Sequence, residues 1–393
     1  MPWKETCVYQ ERMEFVVAWK QGGWTMTDLC QEFGISRVTG YKYLKQYAEF
    51  GIDGLKDKPR KPGPHPKAVR QKIVEIIVNA RKEHPHWGAR KLLASLKGKY
   101  PKIKDWPCIS TVGRILKRKG LISKVKARKK NPLPIYHFSH VLGPNDVWCA
   151  DFKGHFTVGN GDKCTPLTIT DSYSRFLLGC EIVPKADSKT VLEAFTRLFM
   201  EYGLPEAIRT DNGPPFSSVG LAGLTQLAVW WLKLGIKLER IEPGKPQQNG
   251  RHERMHRTLK QETALPPRSS LEEQQRAFDY FQYEYNNYRP HEGLKNEFPA
   301  TYYRPSKREY PEVLPEAYYP TNVMRCQVND LGSIYCAGRR IFLSPALTNE
   351  SVGLEDISDR HARILFYQAA IGMIDMYTGK VLQYKNPVPI QLT

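Results

Sequence analysis

Ala207-Ile208-Arg209-Thr210-Asp211-Asn212-Gly213 is the stretch on which the reading of the fold turns. A short strand-like run ends in a carboxylate, and Asn-Gly turns the chain at once. The same grammar stands upstream, where Val147-Trp148-Cys149-Ala150 runs into Asp151. Working outward, 146–154, 165–172 and 176–183 read as three consecutive strands with short connections. A helix follows at 189–202, capped by Ser188 and burying Val191, Leu192, Phe195, Leu198 and Phe199. After strand 207–210 come a Gly-rich stretch, a helix at 224–234, a strand at 236–241, a long helix at 247–264 begun by Pro246, and a last helix over 270–288. Three meander strands followed by alternating helices and strands predict an α/β core with a mixed sheet over 145–300.

The chain of 393 residues is too long for one ordinary core, so several domains are expected. Lys and Arg number 59 against 40 Asp and Glu, and the resulting +19 points to a polyanionic partner. Double-stranded DNA is that expected partner and a membrane is not, because no apolar run is long enough to span one. The N-terminus shows no apolar stretch after a basic start, so the expected location is cytoplasmic and DNA-associated. The 8 cysteines form no CxxC pair and read as free thiols. His84, His86 and Cys108 lack a second nearby Cys and are a weak case for zinc.

Residues 1–50 read as a helix-turn-helix domain with helices at 9–20, 28–33 and 37–47. Thr25 or Thr27 caps the second, Gly34 makes the turn and Ser36 caps the third. Leu29, Phe33, Ile35, Val38, Tyr41 and Leu44 are expected to bury together. Arg37, Thr39, Lys42, Tyr43 and Lys45 are then expected to face a major groove. Residues 51–68 read as a basic, Pro-rich linker. A second helix-turn-helix-like domain is expected over 69–121, with Ser110 capping its last helix, and a basic linker over 122–144. Residues 301–320 read as another linker, and 321–393, with six short strands, as a small β-barrel.

The helix that contains Glu253 has an unusual composition. Between Pro246 and Lys260 its only apolar residues are Met255 and Leu259, beside Arg251, His252, Arg254, His256, Arg257 and Lys260. So polar a helix calls for a polar partner, and the basic and histidine side chains suggest a DNA backbone. Gly250 within it suggests a close approach of a strand or a phosphate. Lys245, Asn249, Arg254, Arg257 and Lys260 are the candidates for holding DNA. Phosphodiesters resist attack because nucleophile and phosphate are both anionic, and paired divalent ions bound by a few carboxylates overcome this. Asp151 and Asp211 at strand ends, with Glu253 on a helix packed over that rim, would supply such a set. Asp171 reads instead as a turn former, and Glu242 and Glu262 as alternatives to Glu253.

Trp148-Cys149-Ala150-Asp151, Arg209-Thr210-Asp211-Asn212-Gly213-Pro214-Pro215-Phe216 and Pro243-Gly244-Lys245-Pro246-Gln247-Gln248-Asn249-Gly250-Arg251-His252-Glu253 resemble the three catalytic blocks of insertion-sequence DDE transposases with a retroviral-integrase-like core. The resemblance implies an RNase H-like fold and a catalytic triad of Asp151, Asp211 and Glu253 that binds two Mg²⁺ or Mn²⁺. The spacer before Glu253 exceeds the family's usual length, and the excess fits an insertion at 217–225. The implied protein binds the terminal inverted repeats of a mobile element. It hydrolyses the end phosphodiester and joins the freed 3′-hydroxyl to target DNA, working as a dimer or higher oligomer. The rival readings are a DNA-binding regulator with an idle core and a structure-specific nuclease.

Overall fold

The computed structural model describes residues 7–57, 68–122, 141–242 and 246–390, except for the side chains of 246 and 247. The chain divides into two compact units, Met1–Arg70 and Gln71–Thr393.

The first unit holds α1 (Val8–Gln21), α2 (Met26–Glu32) and α3 (Arg37–Phe50). Thr25 caps α2 by accepting from Asp28 N at 3.3 Å, and Ser36 caps α3 by accepting from Thr39 N at 3.2 Å. Gly34 makes the turn between them with φ of 62°. Phe15, Val16, Met26, Leu29, Cys30 and Leu55 form the core. The face of α3 that meets this core differs from the expected one. Val38 is 80% and Tyr41 58% exposed, whereas Gly40 is buried and Tyr43, Leu44 and Tyr47 pack on the core. A Cβ at Gly40 would lie 2.7 Å from Cys30 Sγ and 2.9 Å from Phe15 Cζ. The closest helix approach is thus made by a residue with no side chain, which an apolar-periodicity reading passes over.

The second unit begins with α4 (Gln71–Glu83), α5 (Ala89–Lys99) and α6 (Ile109–Arg118). They bury Ile73, Ile77, Trp87, Leu92, Leu93, Leu96, Val112, Ile115 and Leu116. The N-cap of α6 is Cys108 rather than the expected Ser110.

The central sheet comes next: β1 (Val147–Phe152), the small hairpin β2 (Phe156–Thr157) and β3 (Lys163–Cys164), β4 (Pro166–Asp171), β5 (Leu177–Ile182), α7 (Ser188–Tyr202), β6 (Ala207–Thr210), α8 (Gln226–Lys233), β7 (Lys237–Arg240), α9 (Gly250–Thr263), α10 (Leu271–Asn287) and the single turn α11 (Pro299–Tyr302). The sheet order is β5-β4-β1-β6-β7, antiparallel on the β5-β4-β1 side and parallel from β1 to β7. Asp187, not Ser188, caps α7 by accepting from Thr190 N at 3.0 Å. Strand alternation sorts the layers. Trp148, Ala150, Leu167, Ile169 and Ile208 pack with Val191, Phe195, Trp230 and Trp231 of α7 and α8. On the other face, Leu177 and Cys180 pack with Met255 and Leu259 of α9 and Phe278 and Phe281 of α10. Asp151 alternates with Ala150 and so lies on the α9 face.

The C-terminal part contains β8 (Val323–Gln327), β9 (Ser333–Cys336), β10 (Arg339–Phe342), β11 (Ser351–Asp356), β12 (His361–Phe366), β13 (Ala369–Asp375) and β14 (Val381–Pro389). The expected barrel is not closed. Among the described residues β14-β13-β12-β11-β8 form an open antiparallel sheet, with β9 and β10 as a separate hairpin. The reason lies in what covers the apolar face. Leu221, Ala222 and Leu224, with Ala228, Val229 and Leu232 of α8, share one core with Val352, Leu354, Ile364, Phe366 and Ile371. A face already buried by α8 and its lead-in gains nothing from closure. The lead-in is the expected insertion at 217–225, so the long spacer has a structural role. Arg240 pins it by donating to Ala222 O at 2.7 Å and Gly223 O at 2.9 Å.

Candidate active site

The parallel pairing of β1 with β6 sets Val147 opposite Ala207, Trp148 opposite Ile208 and Cys149 opposite Arg209. Continuing that register brings Asp151 opposite Asp211, on strands about 4.8 Å apart. Asp211 is half-buried and accepts from Gly213 N at 3.1 Å. Asn212 Nδ2 donates to Ile241 O at 2.5 Å, tying the turn after β6 to the end of β7. A 3₁₀ turn over Pro246–Asn249 leads into α9. Glu253 is exposed in the first turn of α9, where the helix dipole favours a carboxylate. Gly250 is therefore the first residue of α9 rather than a mid-helix one, and nothing lies within 4 Å of where its Cβ would be.

Asp151 is 21% exposed. Burial, then the negative charge of Asp211 and further that of Glu253, push its carboxyl up to about 7. Asp151 thus feels both other acids, although Glu253 comes from another element. Asn249, assigned from sequence to DNA, is instead buried, and its Nδ2 lies 3.4 Å from Asp151 Oδ2. It orients the carboxylate.

The composition of α9 misleads about its histidines. His252 and His256 are buried with Met255 and Leu259 and face the sheet rather than DNA. Thr168, paired with Asp151 across β1 and β4, donates its hydroxyl proton to Asp151 O at 3.1 Å. Its lone pairs receive His252 Nε2 at 2.7 Å and His256 Nε2 at 2.6 Å. Thr170 gives its proton to His252 Nδ1 at 3.0 Å. With Thr168's single proton so placed, both rings are Nε2–H tautomers. Burial drives His252 down to about 3 and His256 to about 2, so both are neutral. His256 Nδ1 then faces Asp151 Oδ2 at 3.8 Å as a bare lone pair. Asp151, His252 and His256 bring ligand-type atoms within 4.8 Å of one another. Both His252 nitrogens are occupied by threonine hydroxyls, so this group serves chiefly to position Asp151. The legible sign of it was spacing: 252, 255, 256 and 259 recur at i, i+3, i+4 and i+7, a buried stripe in which two members happen to be histidines.

The alternatives to Glu253 are engaged elsewhere. Glu262 pairs with Arg289 at 2.5 Å, and Glu242 accepts from Gln248 Nε2 at 2.9 Å. Asp171 is a turn former, as expected, accepting from Asn145 N at 2.8 Å and from Ser174 N at 2.7 Å. Lys260 is exposed beside Lys153 and His155. Arg254 and Arg257 turn to a separate basic cavity. Lys245 lies outside the described residues. In the first unit Arg37, Lys42 and Lys45 are exposed, Thr39 is half-buried in the Ser36 cap, and Tyr43 packs inward under Arg12, whose guanidinium lies 4.6 Å from the ring centroid. The outward face of α3 is thus Arg37, Val38, Tyr41, Lys42 and Lys45.

Comparison with known proteins places this geometry. Integrase core domain models match residues 142–246 and 234–299. A helix-turn-helix domain model matches 11–63, and a homeodomain-like model 39–116. An insertion element IS476 protein of 39.2 kDa from Xanthomonas euvesicatoria is 25% identical over 284 residues, covering 71% of this chain and 78% of that one. The chain carries an integrase core domain behind helix-turn-helix domains and is similar to insertion-element transposases. An insertion element IS407 protein of 31.7 kDa from Burkholderia multivorans is 25% identical over 247 residues, 62% of this chain and 83% of its own length. The HTLV-2 integrase catalytic core domain in complex with magnesium covers 42% of this chain at 20% identity, with a TM-score of 0.34. These matches support a transposase-type function and polynucleotidyl transferase-type chemistry, and the helix-turn-helix domains support DNA binding. No helix among the described residues is long and apolar enough to cross a membrane.

Proposed function

We propose that Asp151, Asp211 and Glu253 are the catalytic triad of a DNA transposase that binds the terminal inverted repeats of its element, hydrolyses the end phosphodiester and joins the freed 3′-hydroxyl to target DNA. The observation that carries this reading is the register of β1 and β6, which brings two acids to matching ends of neighbouring parallel strands. The donor set is all carboxylate oxygen, which suits hard divalent cations, Mg²⁺ or Mn²⁺. Two such ions, when bound, supply the charge neutralisation and nucleophile activation that phosphodiester attack requires.

The chain's own residues do the rest. Asn249 and the Thr168–His252–His256 network hold Asp151 in place. The turn pinned by Asn212 holds Asp211. Glu253, from α9, completes the set and orients the attacking oxygen. Joining exchanges one phosphodiester for another: the 3′-oxygen forms a bond to target phosphorus as the target's own 3′-oxygen leaves in line. Lys245, Arg254, Arg257 and Lys260 would hold the end DNA, and the outward face of α3 would read the repeat in a major groove. Pairing of two ends calls for a dimer or higher oligomer on DNA.

The test is incubation of the protein and Mg²⁺ with a labelled duplex carrying the element's end, wild type beside Asp211→Asn. The expected result is nicking and joining by the wild type and binding without chemistry by the variant. A wild type that binds the ends yet never nicks or joins them makes the protein a DNA-binding regulator instead.

A further inference from the structure

A second charged site lies on the same sheet face, beyond His252 from the carboxylates. A cavity of about 620 Å³ is floored by Cys149 and Thr170, walled by α9 and α10, and closed by His86 and Lys91 from the second helical region. Arg175, Arg251, Arg254, Arg257 and Arg289 line it together with Lys91.

The cations there are short of partners. Arg289 is neutralised by Glu262, and Glu292 at the rim is taken by Arg90 at 2.9 Å. The other lining acid, Asp171, is turned to Asn145 and Ser174. Among the described residues the Arg251 side chain donates only to Ser172 O, at 2.9 Å, and that of Arg254 only to Gly250 O, at 3.3 Å. Among the described residues the side chains of Arg175, Arg257 and Lys91 have no hydrogen-bonded or ion-paired partner. Burial, with Arg251 beside it, lowers the Arg175 guanidinium from its ordinary value, and burial, with Arg289 beside it, brings Lys91 down to about 8. Gathering unpaired guanidinium groups in a partly dry cavity is unfavourable unless an anion fills it.

A second, independent observation points into the same space. His291 lines the cavity and is 8% exposed, and its Nε2 is buried without any hydrogen-bond partner. A buried orphan nitrogen is costly to leave unmade. Arg175 itself is held in place: its φ is 63°, and any Cβ on Gly293 would collide with its guanidinium. The backbone therefore leaves room for this one side chain.

We propose that this cavity binds a phosphate group of a DNA strand at a point away from the reacting phosphodiester, with half-buried Arg175 as the inner ligand, exposed Arg251, Arg254 and Arg257 at the rim, and His291 in its Nε2–H form as a further donor. The inference rests on the DNA-processing reading above but involves none of its catalytic carboxylates. A phosphate held here fixes the strand along α9, between the second helical region and the core. An internal phosphodiester and a terminal phosphomonoester share the required chemistry.

The experiment is DNA binding by the full chain in EDTA, where no cleavage intervenes. The probe is a labelled 30-base-pair duplex of arbitrary sequence, titrated at salt concentrations from 50 to 200 mM. Each phosphate contact contributes a slope of about −0.9 in log affinity against log salt, about 3.5-fold over that range. The double variant Arg175→Gln/Arg251→Gln is expected to lose that increment, and the rim variant Arg254→Gln, which leaves Arg175 and Arg251 intact, part of it. Lys189→Gln, at an exposed position of α7, changes nothing comparable. Duplexes with and without a 5′-phosphate separate the sources: tighter binding of the phosphorylated form, lost in the double variant, assigns a strand end, and equal binding assigns the internal backbone. Unchanged slopes in both the double and the rim variants overturn the proposal. So does stabilisation by inorganic phosphate that depends on Arg175 and Arg251 while duplex binding does not. Loss of joining in Asp211→Asn has no bearing on these slopes, so the two readings fail separately.

Discussion

Replacing Asp211 by Asn removes one negative charge beside Asp151 but keeps the Oδ1 that accepts from Gly213 N. Asp151 is held at about 7 against an ordinary 3.8, first by burial and next by Asp211. A shift of that size corresponds to about 4 kcal/mol of unfavourable ionisation in the metal-free fold. Burial is the larger cause and Asp211 the next; two carboxylates on neighbouring strands at a solvent-reached rim repel by on the order of 1 kcal/mol. The sign follows from proton binding. Below pH 3.8 the Asp151 carboxyl is protonated folded and unfolded, and nothing is lost. Between 3.8 and about 7 only the folded form holds the proton, so stability falls as pH rises, and above about 7 the full penalty stands. In EDTA at pH 8, Asp211→Asn should therefore raise the melting temperature of the integrase-like unit by about 2 °C. At pH 5.5 Asp151 is neutral and the gain should vanish. The assay is thermal unfolding of the full chain followed by the near-ultraviolet signal of Trp148, Trp230 and Trp231, all buried in that unit. A variant that is less stable at pH 8, or equally stabilised at both pH values, would refute the reasoning that Asp211 loads Asp151.

Other parts of the fold give equally direct expectations. Thr168→Val strands the two buried Nε2–H groups, so it should cost about 2–4 kcal/mol in a denaturant titration and slow joining; an unchanged midpoint would show that the histidines find other partners. Leu221→Ala opens a cavity between the lead-in to α8 and the C-terminal sheet and should cost about 2–4 kcal/mol in the same titration; a cost under about 0.5 kcal/mol would deny the shared core. Tyr41→Ala and Val38→Ala should broaden the motif enriched from a random duplex library, each by about tenfold in discrimination at one base pair, through lost apolar contact with a thymine methyl. An unchanged motif would take α3 out of the groove.

What the sequence carried and what it hid differ in physical kind. Asp151 and Asp211 were legible because a strand end followed by a turn is written locally, as apolar residues and then Asn212-Gly213. The caps at Thr25 and Ser36 and the layer split of β1, β4 and β6 follow likewise from short-range pattern. The α3 face was misread because Gly40, the residue of closest approach, has no side chain to count. His252 and His256 were counted among the side chains that suggested a DNA backbone because a charge count is blind to which face of a helix a residue occupies. The barrel was expected because strands and turns alone do not tell what covers a sheet, and here Leu221–Leu224 and α8, far upstream, do. Arg175 drew no attention because its significance lies in lacking a partner, which only the assembled cavity reveals.

The measurement that bears most directly on the central claim is Mn²⁺ binding to the full chain, by calorimetry with electron paramagnetic resonance as the count of bound ion. If Asp151, Asp211 and Glu253 hold the ions, the wild type binds Mn²⁺, Asp151→Asn and Asp211→Asn lose most of that binding, Glu253→Gln loses part of it, and His252→Gln retains it. If Asp211→Asn and Glu253→Gln bind as the wild type does while His252→Gln and His256→Gln do not, the ions sit on Asp151 and the histidine pair. The carboxylate triad would then not be the centre of this protein's chemistry.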